Sequence, residues 1–88
     1  MYHLLVKESL DVKFKKLEKH DKALLQLIAS KVDEILENPH RFKPLRKPLA
    51  NHRRVHVGGC FVLVYTLNEA EKTVTLLDFD HHDKIYQL

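Results

Sequence analysis

The chain has 88 residues, a formal net charge of +3, 44% hydrophobic and 31% charged residues. This is the balance of a soluble globular chain and excludes a disordered one. The length predicts one domain, residues 1–88, with a modest folding margin that a partner covering apolar surface would widen. No apolar run is long enough to cross a membrane. Met1 to Glu8 lacks the basic segment and cleavage site of a signal peptide. The single cysteine, Cys60, rules out an internal disulfide and predicts a reducing, cytoplasmic setting.

Tyr2 to Val6 reads as a first strand. Ser9 is the expected cap of a helix, because its hydroxyl can accept from a first-turn amide. Leu10, Phe14 and Leu17 recur at helical spacing. His20-Asp21 predicts a break, with Asp21 capping a second helix to about Glu37. Leu24, Leu25, Ile28, Val32, Ile35 and Leu36 form its apolar stripe, and Asn38-Pro39 ends it. His40 to Asn51 is a proline-punctuated linker. His52 to Val57 reads as a strand with Arg54 and His56 on one face and Val55 and Val57 on the other. Gly58-Gly59 predicts a hairpin turn. Cys60 to Leu67, apolar on both faces, predicts a central strand. Thr73 to Phe79 is a third β-rich run, and Ile85 is expected to tuck into the core. The fold class is therefore α+β: an antiparallel sheet of about four strands, in the order β-α-α-β-β-β, with an N-terminal helical hairpin on one face.

Charge is unevenly spread. Residues 1–37 carry seven Lys and seven acids, residues 38–68 six Lys or Arg and no acid, and residues 69–88 two Lys and five acids. A basic block beside neutral and acidic segments suits phosphates or an acidic protein, or is simply a solvated loop. If the last three strands form a meander, Arg54 and His56 converge with His82 and Tyr86. That mixture suits phosphoryl transfer within RNA. Histidine serves as acid or base near neutral pH. Arginine matches a phosphate with a fork of donors. Tyrosine donates a hydrogen bond or stacks on a base. The competing metal reading uses His52, His56, Asp80, His81, His82 and Asp83, but their spacing matches no common zinc signature. Cys60, between Gly59 and Phe61, reads as a small core or edge residue rather than a nucleophile.

The ordered set of segments resembles the RelE/ParE superfamily of toxins from toxin–antitoxin pairs. It comprises an opening strand, a helical hairpin ending at Leu36 to Pro39, a basic linker, the run Arg54 to Tyr65, and a terminal His82 to Tyr86. The resemblance covers essentially the whole chain and is strongest to the RelE and YafQ branches. It implies a ribosome-dependent mRNA interferase that cuts mRNA in the ribosomal A site by 2′-hydroxyl attack, with no metal or other cofactor. It also implies a cognate RelB-like antitoxin in a heteromeric complex, contacts to mRNA and rRNA, and no membrane partner.

By resemblance, His82, Tyr86, His56 and Arg54 fall at catalytic positions. Lys43 and Phe61 also match family positions, and with Arg46, Lys47 and Arg53 of the basic block they are expected to bind RNA and phosphate. Val62 stands where the RelE branch carries an arginine and the YafQ branch an aliphatic residue. Cys60 stands where the YafQ branch has an acid. Asp80-His81-His82 replaces the usual Gly-His-Arg. Two alternatives stay open: a ParE-like toxin that poisons DNA gyrase by contact, and a catalytically weak relative that only binds antitoxin or RNA.

Overall fold

The computed structural model describes residues 1–44 and 52–86. Strand β1 is His3–Val6, followed by helices α1, Glu8–His20, and α2, Lys22–Glu37. Strands β2, His52–Val57, β3, Phe61–Asn68, and β4, Thr73–His81, come next, and a short helix α3, His82–Ile85, follows.

The helical hairpin forms where the apolar spacing places it. Asp21 caps α2, its carboxylate accepting from the Leu24 amide at 3.1 Å, and Ile28, Val32 and Ile35 are the buried residues of that helix. Ser9 does not cap α1. The strand ladder runs on to Lys7, whose amide donates to the Leu76 carbonyl at 2.9 Å. The Lys7 carbonyl then accepts from Leu10 and Asp11. Strand passes directly into helix, so Ser9 lies inside the first turn.

The class is α+β, but the sheet is mixed rather than antiparallel. Its strand order is β1-β4-β3-β2. The meander β2-β3-β4 is antiparallel, whereas β1 lies parallel to β4, with His3 opposite Thr73 and Val6 opposite Leu76. The cause is the helical hairpin. Helix α1 carries the chain on past β4, where Lys13 meets Asp78. Helix α2 then returns it to the starting end, where Pro39 meets Tyr65. Strand β2 therefore starts in the direction of β1, and two reversals later β4 runs the same way. A parallel neighbour needs such a crossover, and two helices supply it.

The tight turn between β2 and β3 needs left-handed backbone at Gly58 (φ 62°) and Gly59 (φ 88°), which glycine adopts without steric cost. The ladder closes at Val57 opposite Phe61. Cys60 thus belongs to the turn and is exposed, not to the central strand as expected. Strand β4 runs to His81, beyond Phe79, because Val62 and Phe61 remain free to pair with Asp80 and His81.

The sheet separates two apolar clusters. On the helical face lie Leu10, Ile28, Val32 and Ile35 with Val55, Val57, Leu63, Tyr65, Val74, Leu76 and Phe79. On the other face Val62 and Val64 are covered by Leu77, Ile85 and Tyr86. Ile85 is thus half-buried, but against this second cluster.

Candidate active site

The second face of the sheet carries the chemistry. Val55 and Val57 are drawn under the helices, so strand alternation turns Arg54 and His56 to the opposite side. Helix α3 is fastened over that side. The His82 amide donates to the Cys60 carbonyl at 2.8 Å, and the Tyr86 amide to the His82 carbonyl at 3.1 Å. Ile85 and Tyr86 supply its apolar footing on Val62 and Val64.

These constraints produce a row of rings. His56 stacks on His82 with centroids 5.8 Å apart and planes 20° apart. His82 lies 4.5 Å from Tyr86, tilted by 49°. The Arg54 guanidinium donates to the Tyr86 hydroxyl and sits 5.3 Å from the centre of its ring. His56 and His82 are exposed, while Arg54 and Tyr86 are half-buried. Arg54, His56, His82 and Tyr86, distant in sequence, therefore form one cluster open to solvent. Two imidazoles can take up and release protons there, a guanidinium can hold an anion, and a phenol can donate or stack.

The remaining expected residues divide. Lys43 lies beside the cluster: its carbonyl accepts from the Arg54 amide at 3.2 Å, and it lines a groove of about 440 Å³ with Arg54 and His56. Arg53 and Phe61 are not brought to the cluster, because alternation sends them to the other face. Arg53 donates to the Phe42 carbonyl at 2.7 Å and the His40 carbonyl at 3.4 Å, tying the linker to β2. Phe61 stacks on Phe79 at 5.1 Å and lies 4.5 Å from the His81 ring. Arg46 and Lys47 lie outside the described residues.

Of the acids near the site, Asp83 lies 3.7 Å from His82 Nδ1, while Asp78 and Asp80 are engaged by Lys13. Lys13 of α1 reaches Asp78 at 3.2 Å and Asp80 at 3.5 Å, and donates to the Phe79 carbonyl at 3.1 Å. Partial burial pushes the Asp80 carboxyl up. The His81 amide, with Lys13 and Lys84, more than offsets this and holds it below the usual carboxylate range. Lys13 was not legible as part of this region, because its contacts are made across 65 residues of sequence.

The linker is held in place at several points. Tyr65 donates its hydroxyl to the Pro39 carbonyl at 2.6 Å. Burial pushes that phenol up to about 12, against the opposing pull of Arg53. Glu69 accepts from Tyr2 at 3.0 Å, from Lys72, and pairs with His40 at 2.9 Å. The Lys72 ammonium first, then His40 and Tyr2, hold the Glu69 carboxyl down at about 2 despite some desolvation.

Residues 5–86 match the family described as the ParE toxin of the type II toxin–antitoxin system parDE. The chain belongs to this family. A protein of Methanosarcina mazei with no assigned function is 52% identical over 86 residues, spanning 98% of this chain and all of that protein. A protein of Methanocaldococcus jannaschii bearing the name "Putative toxin RelE4" is 49% identical, spanning 99% of this chain and 93% of its own length. The fold is shared with the toxin in the intact Escherichia coli RelBE toxin–antitoxin complex, at a TM-score of 0.78 and 17% identity, over 92% of this chain and 96% of that one. The chain is thus a toxin of the RelE/ParE superfamily, and the mixed sheet with its helical hairpin is the superfamily's fold.

Proposed function

We propose that this toxin is a ribosome-dependent mRNA interferase, a metal-independent endoribonuclease acting on mRNA in the ribosomal A site. The observation that carries the reading is the convergence of Arg54, His56, His82 and Tyr86 on one open face. In the reaction, a ribose 2′-hydroxyl attacks the adjacent phosphorus and loses its proton to one imidazole. The bond from phosphorus to the 5′-oxygen breaks, and that oxygen takes a proton from the other imidazole. The products are a 2′,3′-cyclic phosphate and a 5′-hydroxyl. Arg54 supports the charge that builds on the phosphoryl oxygens. Tyr86, held by Arg54, positions the nucleotide by hydrogen bond or stacking. Such acid–base assistance is worth about 10²–10⁴ in rate.

An mRNA substrate sets the protein to work in the cytoplasm, with rRNA contacts around the A site. A cognate RelB-like antitoxin is the expected partner in a heteromeric complex, its acids facing the basic block of residues 38–68. The E. coli neighbour was solved with its antitoxin, which supports this. The parDE description of the matched family favours a second reading, inhibition of DNA gyrase by protein contact. That mechanism needs no histidine–tyrosine cluster.

Primer extension on mRNA in a reconstituted translation reaction separates the two. Wild type and His82→Ala are compared with and without ribosomes, alongside a gyrase supercoiling assay. The interferase reading expects cuts that need ribosomes and vanish in the variant. Inhibited supercoiling with intact mRNA would replace it with the gyrase reading.

A further inference from the structure

The groove beside the ring cluster brings together residues far apart in sequence. Lys31 of α2, Arg41, Phe42 and Lys43 of the linker, and Arg54, Val55 and His56 of β2 line a space of about 440 Å³. Four of the seven lining residues are permanent cations. Glu34 balances them only in part: it lies 3.2 Å from Lys31 and 3.2 Å from Arg41, so one carboxylate is shared by two cations. The linker is positioned rather than loose. Arg53 holds the His40 and Phe42 carbonyls, the Arg54 amide holds the Lys43 carbonyl, and Tyr65 holds Pro39. Those bonds fix the backbone from which Arg41 and Lys43 enter the groove.

We propose that this groove is a phosphate subsite for single-stranded RNA, in which Lys31, Arg41 and Lys43 hold the backbone next to the phosphate at Arg54 and His56. The inference rests on the ribonuclease reading and extends it to residues outside the ring cluster. Continuity argues for RNA over an acidic peptide. Arg54 and His56 belong both to the groove and to the cluster, so a polymer seated at one end runs into the other. Phe42 gives the groove an apolar wall, and the Arg41 guanidinium sits 5.5 Å from the centre of its ring, which preorders a fork of donors suited to phosphate.

The test is fluorescence anisotropy with a labelled, uniformly 2′-O-methylated RNA hexamer, which binds but cannot be cleaved. Binding is followed across a salt series for wild type, for Lys31→Ala with Arg41→Ala, and for a charge-matched control, Lys15→Ala with Lys19→Ala on α1. Each phosphate contact to a single strand adds about 0.7 to the slope of log affinity against log salt. The groove variant should therefore lose about 1.4 of that slope, and the control none. A groove variant indistinguishable from the control, while Arg54→Ala still lowers the slope, would overturn the subsite and leave the ribonuclease reading standing. Failure of wild type to bind the hexamer at low salt would overturn the subsite whatever the ribosome assay shows. An oligoglutamate peptide that binds wild type and the control more tightly than the hexamer does, and loses that binding in the groove variant, would reassign the groove to an acidic protein segment.

Discussion

Replacing Tyr65 with Phe should both destabilise the toxin and change how its stability depends on alkaline pH. The Tyr65 side chain is fully buried, and its hydroxyl donates to the carbonyl of Pro39, itself among the fully buried residues, at 2.6 Å. Phe keeps the ring and removes the donor, leaving a buried acceptor unpaired, at a cost of about 1–3 kcal/mol. For a domain of this size that lowers Tm by about 4–8 °C per kcal/mol. The sign of the pH effect follows from the phenol, which burial raises from 10.0 to about 12. Below the unfolded value both states are neutral, and the tyrosine's contribution is complete. Above it the unfolded phenol ionises first, so the unfolded state binds fewer protons and stability falls until the folded phenol also titrates. Two pH units at about 1.36 kcal/mol each give a loss of roughly 2–3 kcal/mol across that window. Urea melts of wild type and Tyr65→Phe should therefore show a gap of about 1–3 kcal/mol at neutral pH that narrows steadily above pH 10. Other tyrosines and lysines titrate in both proteins and cancel in the difference. Two stability curves that stay parallel above pH 10 would refute the buried, neutral donor.

Four further outcomes can be measured directly. His82→Ala should melt within about 0.5 kcal/mol of wild type, as an exposed side chain does, yet cut mRNA about 10²–10⁴ more slowly. Tyr86→Phe, which keeps the ring and loses the bond from Arg54, should lose less, about tenfold. Glu69→Gln should flatten the acid limb of the stability curve followed by circular dichroism. The Glu69 carboxyl is held at about 2 in the folded state against a usual 4.5, so its contribution is present above the higher value and is lost as pH falls through the lower. Lys13→Ala should leave stability within about 1 kcal/mol, since its pairs are half-exposed. By releasing Asp78 and Asp80 it should weaken RNA binding at low salt by roughly two- to fivefold.

The helices were legible because each is specified locally: a three- and four-residue apolar stripe, Asp21 at one end and Asn38-Pro39 at the other. The hairpin was legible from Gly58-Gly59 and from the alternation in His52 to Val57. The same alternation assigns Arg54 and His56 to one face. What the sequence left open was long-range. Nothing in Met1 to Val6 says which strand it will join or in which direction, so the parallel pairing with β4 was not foreseen. Arg53, from the basic block, and Phe61, by resemblance, are expected at the RNA site, although the same alternation that favours Arg54 sends both to the helical face. Lys31 and Arg41 gave no signal of a shared groove, because a helix and a linker become neighbours only once the linker is tied to β2.

One irregularity lets strand β4 serve both faces. Along its first half Val74 and Leu76 point under the helices. A regular strand would send Asp78 and Asp80 there next and turn Phe79 outward, which would bury two carboxylates and expose an aromatic ring. Instead Leu76 pairs with Tyr65 and Asp78 with Val64, so Leu77 is the extra residue of a bulge. The extra residue resets the alternation. Leu77 joins Val62 and Val64 on the open face, Phe79 returns to the helical core, and Asp78 stays at the edge where Lys13 meets it. The chain then leaves β4 on the side where His82 can donate to Cys60 and stack on His56. Core and candidate active site are thus set by the same inserted residue. The out-of-step spacing of Val74, Leu76 and Phe79 is the trace of that bulge in the sequence.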